Sequence, residues 1–274
     1  MLANFHTHTK RCNHAAGEDR EYVIAAIKAG LTALGFSDHS PQGFEGGYYS
    51  NFRMKPEEQS DYIESISALR EEFRDYIHLY IGYETEYYPD IFGKTYDMLS
   101  SMPYDYMILG QHALDNEKHA HFCFTETDDA ALLEKYVSQV CEGIRTGKYF
   151  YLAHPDVFRF SGDEDVYEEQ MTRLCREANR YGMPLEINGL GLREGRYYPS
   201  ESFFRIAARE GLKAIFGCDA HSPDTVGLAD NYDEARRLAD RCGIELIETT
   251  VPVKFRERTK TRRKKRNNSM GRTW

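Results

Sequence analysis

The chain has 274 residues and a mass of 31.8 kDa, with 41% hydrophobic, 29% charged and 13% aromatic residues. This length and hydrophobic content suffice for a sizeable buried core in one large domain or two small ones, and they exclude a disordered or fibrous chain. No run of 18 apolar residues occurs, which excludes a membrane-spanning helix.

Targeting and cysteine patterns predict the compartment. The first residues lack the basic region and the apolar region of a secretory signal. The six cysteines are scattered singly with no Cys-x-x-Cys pair, which is typical of reduced thiols rather than of a disulfide framework or a zinc ribbon. We therefore expect a cytoplasmic protein, and the sequence leaves its oligomeric state open.

Charge divides the chain into an acidic body and a basic tail. Residues 254–274 carry ten Lys or Arg and one acidic residue, whereas the whole chain has a formal net charge of −9. Residues 1–253 therefore carry a balance of −18. A body of this charge without a basic groove argues against nucleic acid as a partner.

Short β-prone runs alternate with stretches in which apolar residues recur three and four positions apart. The predicted strands are 2–5, 33–37, 78–83, 106–109, 149–153, 184–187, 213–216 and 245–248. Glycines that end helices follow the apolar stretches at Gly30, Gly182 and Gly211. This alternation predicts an α/β fold with a parallel sheet covered by helices, either an open doubly wound sheet or a closed barrel.

The domain organisation is simple. We find no linker, low-complexity tract or internal repeat before residue 253, so we predict one domain over 1–253 with longer insertions at 40–56 and 113–127. No G-x-G-x-x-G follows the first strand and no P-loop is present, which disfavours the nucleotide-binding versions of this fold. The tail over 254–274 is predicted to be a solvated, flexible extension.

Most of the ten histidines share a position in this pattern, because they fall where a predicted strand ends. The candidate set of imidazoles and carboxylates at or near these ends is His6, His8, His14, His39, Glu84, His112, His154, Asp219 and His221. Residues two apart on a strand face the same way, so His6 with His8 and Asp219 with His221 form two such pairs. The carboxyl ends of parallel strands share one rim, and the nine side chains are therefore expected to meet in one cleft.

The residue types indicate what this cleft binds. Neutral imidazole nitrogens and carboxylates suit Zn²⁺, Mn²⁺ or Fe²⁺. One zinc site needs about three or four protein ligands, so nine candidates predict two or three divalent ions. Such a cleft would be strongly positive within an acidic body and would favour a small phosphate ester. Water bound to such metals can reach a pKa near 7 and act as a nucleophile, which makes phosphate-ester hydrolysis the expected reaction.

Two arginines are candidates for binding the phosphate. Arg159 lies five residues after His154, and Arg193 follows the strand predicted at 184–187. Both are expected in loops at the same rim, where the guanidinium group can donate two parallel hydrogen bonds to phosphate oxygens.

These motifs resemble those of the polymerase-and-histidinol-phosphatase (PHP) superfamily of metal-dependent phosphoesterases. The similar segments, which extend over residues 2–252, are His6-Thr-His8, His14, Asp38-His39, Gly82-Tyr-Glu84, Gly110-Gln-His112, His154-Pro-Asp and Asp219-Ala-His221. Within the superfamily, Cys12-Asn-His14-Ala, the segment from His154 to Arg159, and the segment from Glu186 to Arg193 with the following Tyr198-Pro-Ser are most similar to the histidinol-phosphatase branch.

The resemblance implies a distorted, TIM-barrel-like (β/α)7 barrel with a trinuclear metal centre. It implies one ion held by His6, His8, Glu84 and Asp219, a second held by Glu84, His112 and His154, and a third held by His14, His39 and His221. It also implies that Arg159 and Arg193 bind phosphate, and that the reaction converts L-histidinol phosphate and water to L-histidinol and phosphate, a step of histidine biosynthesis. No catalytic residue beyond the metal ligands is assigned, and the basic tail departs from the family pattern.

Three alternatives stay open. A phosphoesterase of this superfamily could act on another ester, such as a nucleotide, an oligonucleotide end or a phosphotyrosine. A non-catalytic metal-binding protein would be expected to lack one or two of the ligands, but none is missing here. An amidohydrolase shares the His-x-His opening and the late Asp, but we find no lysine at a strand end in mid-barrel.

Overall fold

The computed structural model describes residues 1–119, 121–249 and 251–252. Within these ranges the strands are β1 Ala3–Asn4, β2 Ala33–His39, β3 His78–Thr85, β4 Tyr106–Leu109, β5 Leu185–Asn188, β6 Lys213–Gly217 and β7 Glu245–Ile247. The α-helices are α1 Asp19–Lys28, α2 Gln59–Glu72, α3 Phe92–Ser100, α4 Ala130–Arg145, α5 Glu164–Tyr181, α6 Gly189–Glu194, α7 Glu201–Arg209 and α8 Ala229–Cys242. Short 3₁₀ helices lie at Lys10–Cys12, Pro56–Glu58, Glu117–His119 and Pro223–Thr225. The tail predicted over 254–274 lies outside the described residues.

The strands form a curled parallel sheet. Strands β1 to β4 pair in sequence order, as do β5 to β7, and every pair is parallel. Parallel bridges from Leu152 to Leu109 and to Leu185 connect the two groups on one side. On the other side, a parallel bridge between Thr7 and Ala220 connects the segment after β1 with the segment after β6. This arrangement confirms the predicted α/β fold of the distorted (β/α)7 barrel type.

The segment predicted as a strand over 149–153 differs from the expectation. It occupies a strand position but forms isolated bridges at Leu152 instead of a regular ladder. Its backbone N–H and C=O groups still pair on both sides, since Ala153 N–H donates to Leu109 and Leu152 N–H donates to Pro184. His154, which follows the segment directly, has a φ of 28°.

Apolar side chains fill two layers around this sheet. The smaller layer contains Phe5, Tyr106, Phe150 and Ile215, with every ring or chain at most 4% exposed. The larger layer lies where helices cover the sheet, and it includes the apolar faces of α2, α4, α5, α7 and α8. The buried area of both layers supplies the main stabilising term of the fold.

Helix boundaries follow the expected chemistry. Asp163 caps α5 by accepting hydrogen bonds from the backbone N–H groups of Asp165 and Val166, and Gly182 ends the same helix with a φ of 68°. Within the described ranges, no helix combines the length and the apolar character needed to span a bilayer.

Candidate metal centre

The imidazoles of His6 and His8 lie on the same face of the segment that continues β1. Both side chains are fully buried, and their ring centroids are 5.2 Å apart. His8 N–H donates to the Ala220 carbonyl at 2.9 Å, and Ala220 N–H donates to the His6 carbonyl at 3.2 Å. Because side chains alternate along extended backbone, this pairing directs both imidazoles into one space.

The Glu84 carboxylate, near the end of β3, lies at the centre of the cluster and is 1% exposed. Its oxygens lie 2.7 Å from His154 Nε2, 3.1 Å from His39 Nδ1, and 3.5 Å from His6 Nε2, His8 Nε2 and His112 Nε2. These five histidines lie at the ends of four strand positions, and Glu84 adds a fifth. One carboxylate therefore contacts imidazoles delivered by most of the sheet.

Asp219 closes the cluster on the side of β6. Its backbone has a φ of 48°, and its Oδ1 lies 3.1 Å from His8 Nε2, 3.6 Å from His6 Nε2 and 3.4 Å from His221 Nδ1. The side-chain amide of Asn188 donates to its Oδ2 at 3.1 Å. The amide fixes one carboxylate oxygen and leaves the other facing the imidazoles.

His14 and His221 form the outer part of the cluster with His39. The Nε2 atoms of His14 and His221 are 3.0 Å apart, and the ring centroids of His14 and His39 are 5.3 Å apart. His14 follows the left-handed residue Asn13, which ends the 3₁₀ helix Lys10–Cys12. The structure thus brings together all nine of the predicted ligands.

The cluster suits metal binding, because many of its buried ligand atoms make no hydrogen bond with the described residues. Seven buried atoms here have no hydrogen bond within the described residues: His6 Nε2, His8 Nδ1, His8 Nε2, His39 Nδ1, His154 Nδ1, Glu84 Oε2 and Asp219 Oδ1. Buried polar atoms are normally paired, so converging unpaired donors need an occupant. Cys12, which the sequence analysis did not include, also brings its thiol within 4.8 Å of ligand atoms of His8 and His221.

The electrostatics of the cluster fit a cation. Burial alone would raise the pKa of Glu84 and Asp219, but the surrounding histidines hold both pKa values well below the usual range. Burial lowers the pKa of His6 and His8, but the neighbouring carboxylates outweigh it and raise both. Burial and the charge of His8 lower the pKa of His221 to about 3. Cations compete with protons for such imidazoles.

Two outer carboxylates that the sequence analysis missed orient the imidazoles. His6 Nδ1 donates to Glu186 Oε1 at 2.7 Å, and His112 Nδ1 donates to Glu86 Oε1 at 2.8 Å. Such contacts fix the tautomer, so that Nε2 is left for a metal. Their positions in the sequence could have indicated that both lie near the cluster. Glu86 follows Glu84 by two residues, and Glu186 lies in a strand that ends at the same rim.

A cavity of about 880 Å³ opens above the cluster. Its walls contain seven of the nine candidates, five aromatic side chains, Phe52, Phe122, Phe124, Tyr197 and Tyr198, and the polar side chains of Asn13, Asn51, Glu194 and Arg196. The predicted insertions 40–56 and 113–127 supply the first three of these rings. Both insertions therefore contribute to the walls of the cavity.

The two predicted phosphate-binding arginines lie close to this cavity but outside the set of described residues that line it. Arg159 pairs with Glu126 at 2.6 Å, lies 5.5 Å from the Tyr197 ring and lines an adjacent cavity that shares Tyr197. Arg193 lies in α6, and its buried Nη1 has no hydrogen-bond partner among the described residues. Arg196, which the sequence analysis did not select, lines the cavity above the cluster.

The chain is similar to a known protein family and to named proteins over most of its length. The family model of the PHP domain matches residues 4–189. The chain is 31% identical over 249 residues to a protein of Deinococcus radiodurans named "probable histidinol-phosphatase", an alignment that covers 88% of this chain and 95% of the relative. It is 26% identical over 259 residues to the histidinol-phosphatase of Bacillus subtilis, covering 82% of this chain and 95% of the relative.

A solved structure has the same fold. The crystal structure of histidinol phosphate phosphatase from Lactococcus lactis, complexed with zinc, L-histidinol and phosphate, superposes with a TM-score of 0.71 at 21% identity. The match covers 93% of this chain and 99% of that chain. The likeness therefore extends over nearly the whole of both molecules.

Proposed function

The chain belongs to the PHP domain family, and on that premise we propose that it is a metal-dependent histidinol-phosphatase, which converts L-histidinol phosphate and water to L-histidinol and phosphate. The observation that carries the proposal is the convergence of nine imidazole and carboxylate side chains in one cluster, in which several buried ligand atoms make no hydrogen bond and seven of the nine residues line one cavity. The names of the curated relatives support the substrate.

We propose two or three divalent ions, zinc, manganese or iron, in ligand sets that overlap at Glu84. The sets are His6, His8, Glu84 and Asp219; Glu84, His112 and His154; and His14, His39 and His221. Groupings among these residues whose ligand atoms lie within 4.8 Å of one another include His6, His8 and Asp219; His6, Glu84 and His154; His8, His39 and Glu84; and His14, His39 and His221. Such spacing allows each group to share one ion.

Bound divalent ions would stabilise negative charge on the phosphoryl oxygens and lower the pKa of water toward neutrality. The protein's own contribution is to hold the ligands in place. Glu186 and Glu86 keep the Nδ1 protons of His6 and His112 and direct each Nε2 toward the cluster. No separate general acid is assigned.

The cavity fits a small phosphate ester. Its volume of about 880 Å³ lies within the usual range for small-molecule sites. We propose that Arg193 and Arg159 bind the phosphate, as the sequence predicts. The buried Nη1 of Arg193, which has no hydrogen-bond partner among the described residues, supports the role of Arg193. The aromatic walls offer apolar surface for an imidazole-bearing leaving group.

We propose that the reaction takes place in the cytoplasm. All six cysteines are free, which agrees with a reducing compartment. The domain is proposed to span 1–253, with 254–274 as an appended basic tail.

A substrate comparison tests the proposal. The protein is stripped of metal with a chelator, reloaded with Zn²⁺ or Mn²⁺, and assayed by phosphate release from L-histidinol phosphate, a nucleoside monophosphate, a 5′-phosphorylated oligonucleotide and a phosphotyrosine peptide. We expect kcat/KM for L-histidinol phosphate to exceed the others by at least 100-fold, and no turnover before reloading.

A higher kcat/KM for another of these esters would replace the substrate but leave the metal-dependent phosphatase in place. Full activity in the stripped protein would overturn the proposal as a whole, because the nine ligands would then have no role in catalysis.

A further inference from the structure

Arg53 carries a guanidinium group that is 1% exposed and lies in the insertion over 40–56. Its Nη2 donates to Glu86 Oε1 at 3.0 Å and also contacts Glu117, while its Nε donates to Glu117 Oε2 at 3.2 Å. Its Nη1 donates to the Ser40 carbonyl at 2.7 Å. Burying a charged group costs desolvation free energy, which its buried partners offset. Removing one partner therefore leaves another buried charge unpaired.

One of these partners is the carboxylate that orients His112. Glu86 Oε1 accepts from both Arg53 Nη2 and His112 Nδ1, and Glu86 Oε2 accepts from the side-chain amide of Gln42 at 3.0 Å. The guanidinium therefore fixes the oxygen to which His112 donates. Because Nδ1 is held there, His112 Nε2 faces Glu84 at 3.5 Å.

The residues next to Arg53 contact two other imidazole-bearing segments. The Phe52 ring lies 5.9 Å from the His39 ring, and Met54 N–H donates to the His39 carbonyl at 3.2 Å. The Arg53 carbonyl accepts from the side-chain amide of Asn13, the residue before His14, at 3.3 Å. The 52–54 segment thus contacts parts of the chain that carry His14, His39 and His112.

The second carboxylate partner connects the other insertion. Glu117 Oε1 accepts from Tyr88 Oη at 2.8 Å, and the Glu117 carbonyl accepts from Tyr48 Oη at 3.1 Å. Glu117 begins a 3₁₀ helix in the 113–127 insertion, whose Phe122 lines the cavity. Arg53 therefore connects both insertions that line the cavity with Glu86, the carboxylate that orients the proposed metal ligand His112.

We propose that Arg53 is a positioning residue, which acts through Glu86 to fix His112 for metal binding and holds the insertions 40–56 and 113–127 together over the cavity. This inference rests on the proposed metal cluster and not on the identity of the ester. The proposed role requires a guanidinium group. A lysine side chain has a single nitrogen, whereas Nη1, Nη2 and Nε of Arg53 donate separately to Ser40, Glu86 and Glu117.

Metal affinity, measured without substrate, tests the proposal. Equilibrium dialysis with Mn²⁺ or Zn²⁺ gives the Kd of the most weakly held ion in the wild type, Arg53→Lys, Glu86→Gln and the double variant. Asp19→Asn is the matched control, since Asp19 is a buried carboxylate whose hydrogen bonds among the described residues go to Arg11 and Ser65, neither of which is a proposed ligand. Melting temperatures are recorded for every variant.

We expect Arg53→Lys and Glu86→Gln each to raise this Kd by about 10- to 100-fold, the usual effect of losing an outer partner of a ligand. Because Arg53 acts through Glu86, the double variant should raise it no further than Glu86→Gln does. Asp19→Asn should lower the melting temperature and leave the Kd within about two-fold.

The proposal fails if Arg53→Lys lowers the melting temperature with no change in Kd, or if the two effects multiply in the double variant. Should Arg53→Lys not fold, Arg53→Gln/Glu117→Gln replaces it, because that pair removes one charge of each sign and keeps the net charge. An unchanged Kd in that variant would also overturn the proposal, while a wild type that binds no metal would overturn the proposed function with it.

Discussion

Replacing Gly110 by alanine provides a sharp test of the cluster. Gly110 follows β4 and faces the Glu84 side chain. An alanine Cβ there would lie 1.9 Å from Glu84 Oε1, 2.6 Å from its Cδ and 2.7 Å from its Cγ. Real Cβ contacts essentially never fall below 3.0 Å, so the Glu84 carboxylate must move by about 1 Å.

The expected effect follows from this displacement. The atoms that must move belong to one side chain rather than to backbone, so the fold should survive the substitution. The carboxylate, however, contacts five imidazoles, and its shortest contact, with His154, is 2.7 Å. A misplacement of about 1 Å at a reacting centre can cost about 100-fold in rate. We therefore expect kcat/KM to fall at least 100-fold, together with loss of bound metal.

The assay compares phosphate release and metal content for Gly110→Ala, Gly93→Ala and the wild type. Gly93 lies in α3, and an alanine Cβ there meets no heavy atom of the described residues within 4 Å apart from its chain neighbours and the backbone of its own helix. Gly93→Ala should leave kcat/KM unchanged and stabilise the helix by up to about 1 kcal/mol. If Gly110→Ala kept its full metal content and a kcat/KM within about three-fold of the wild type, Glu84 would not have the central role assigned to it.

Three further outcomes are expected. Glu186→Gln should weaken metal binding by about 10- to 100-fold, because His6 loses the carboxylate at 2.7 Å that orients it, and an unchanged Kd in dialysis would contradict this. Asp156, which is 3% exposed, has a pKa raised by burial from 3.8 to about 6, so the folded state binds its proton more tightly and the free energy of unfolding falls as the pH rises from about 4 to about 6. Asp156→Asn should remove this fall, which is worth about 3 kcal/mol and can be measured by urea unfolding at pH 4 and pH 7; parallel curves for the two proteins would refute the reasoning. Arg193→Ala should raise KM strongly for a small phosphomonoester with the metal content intact, and unaltered kinetics would remove Arg193 from the phosphate site.

The sequence predicts the cluster well because its geometry is regular. His6 and His8 are two residues apart on extended backbone, and Glu84 and His39 end strands whose register is parallel. In such a sheet, chain position is sufficient to predict that these side chains share a rim.

What the sequence does not predict depends on long-range contacts without periodicity. Arg53 lies in an insertion and pairs with Glu117, 64 positions further along the chain. Arg196 follows the short helix α6 and reaches the cavity, whereas Arg159 pairs with Glu126 beside it. Loop conformations of this kind are set by tertiary packing, which no local pattern of residues encodes.

Anomalous diffraction from crystals reconstituted with zinc or manganese tests the central claim most directly. With data collected above each metal's absorption edge, we predict two or three anomalous peaks, all enclosed by the nine side chains and two of them in contact with Glu84. A single peak elsewhere would contradict the account. The absence of any peak among the nine side chains, under conditions in which the enzyme releases phosphate, would also contradict it.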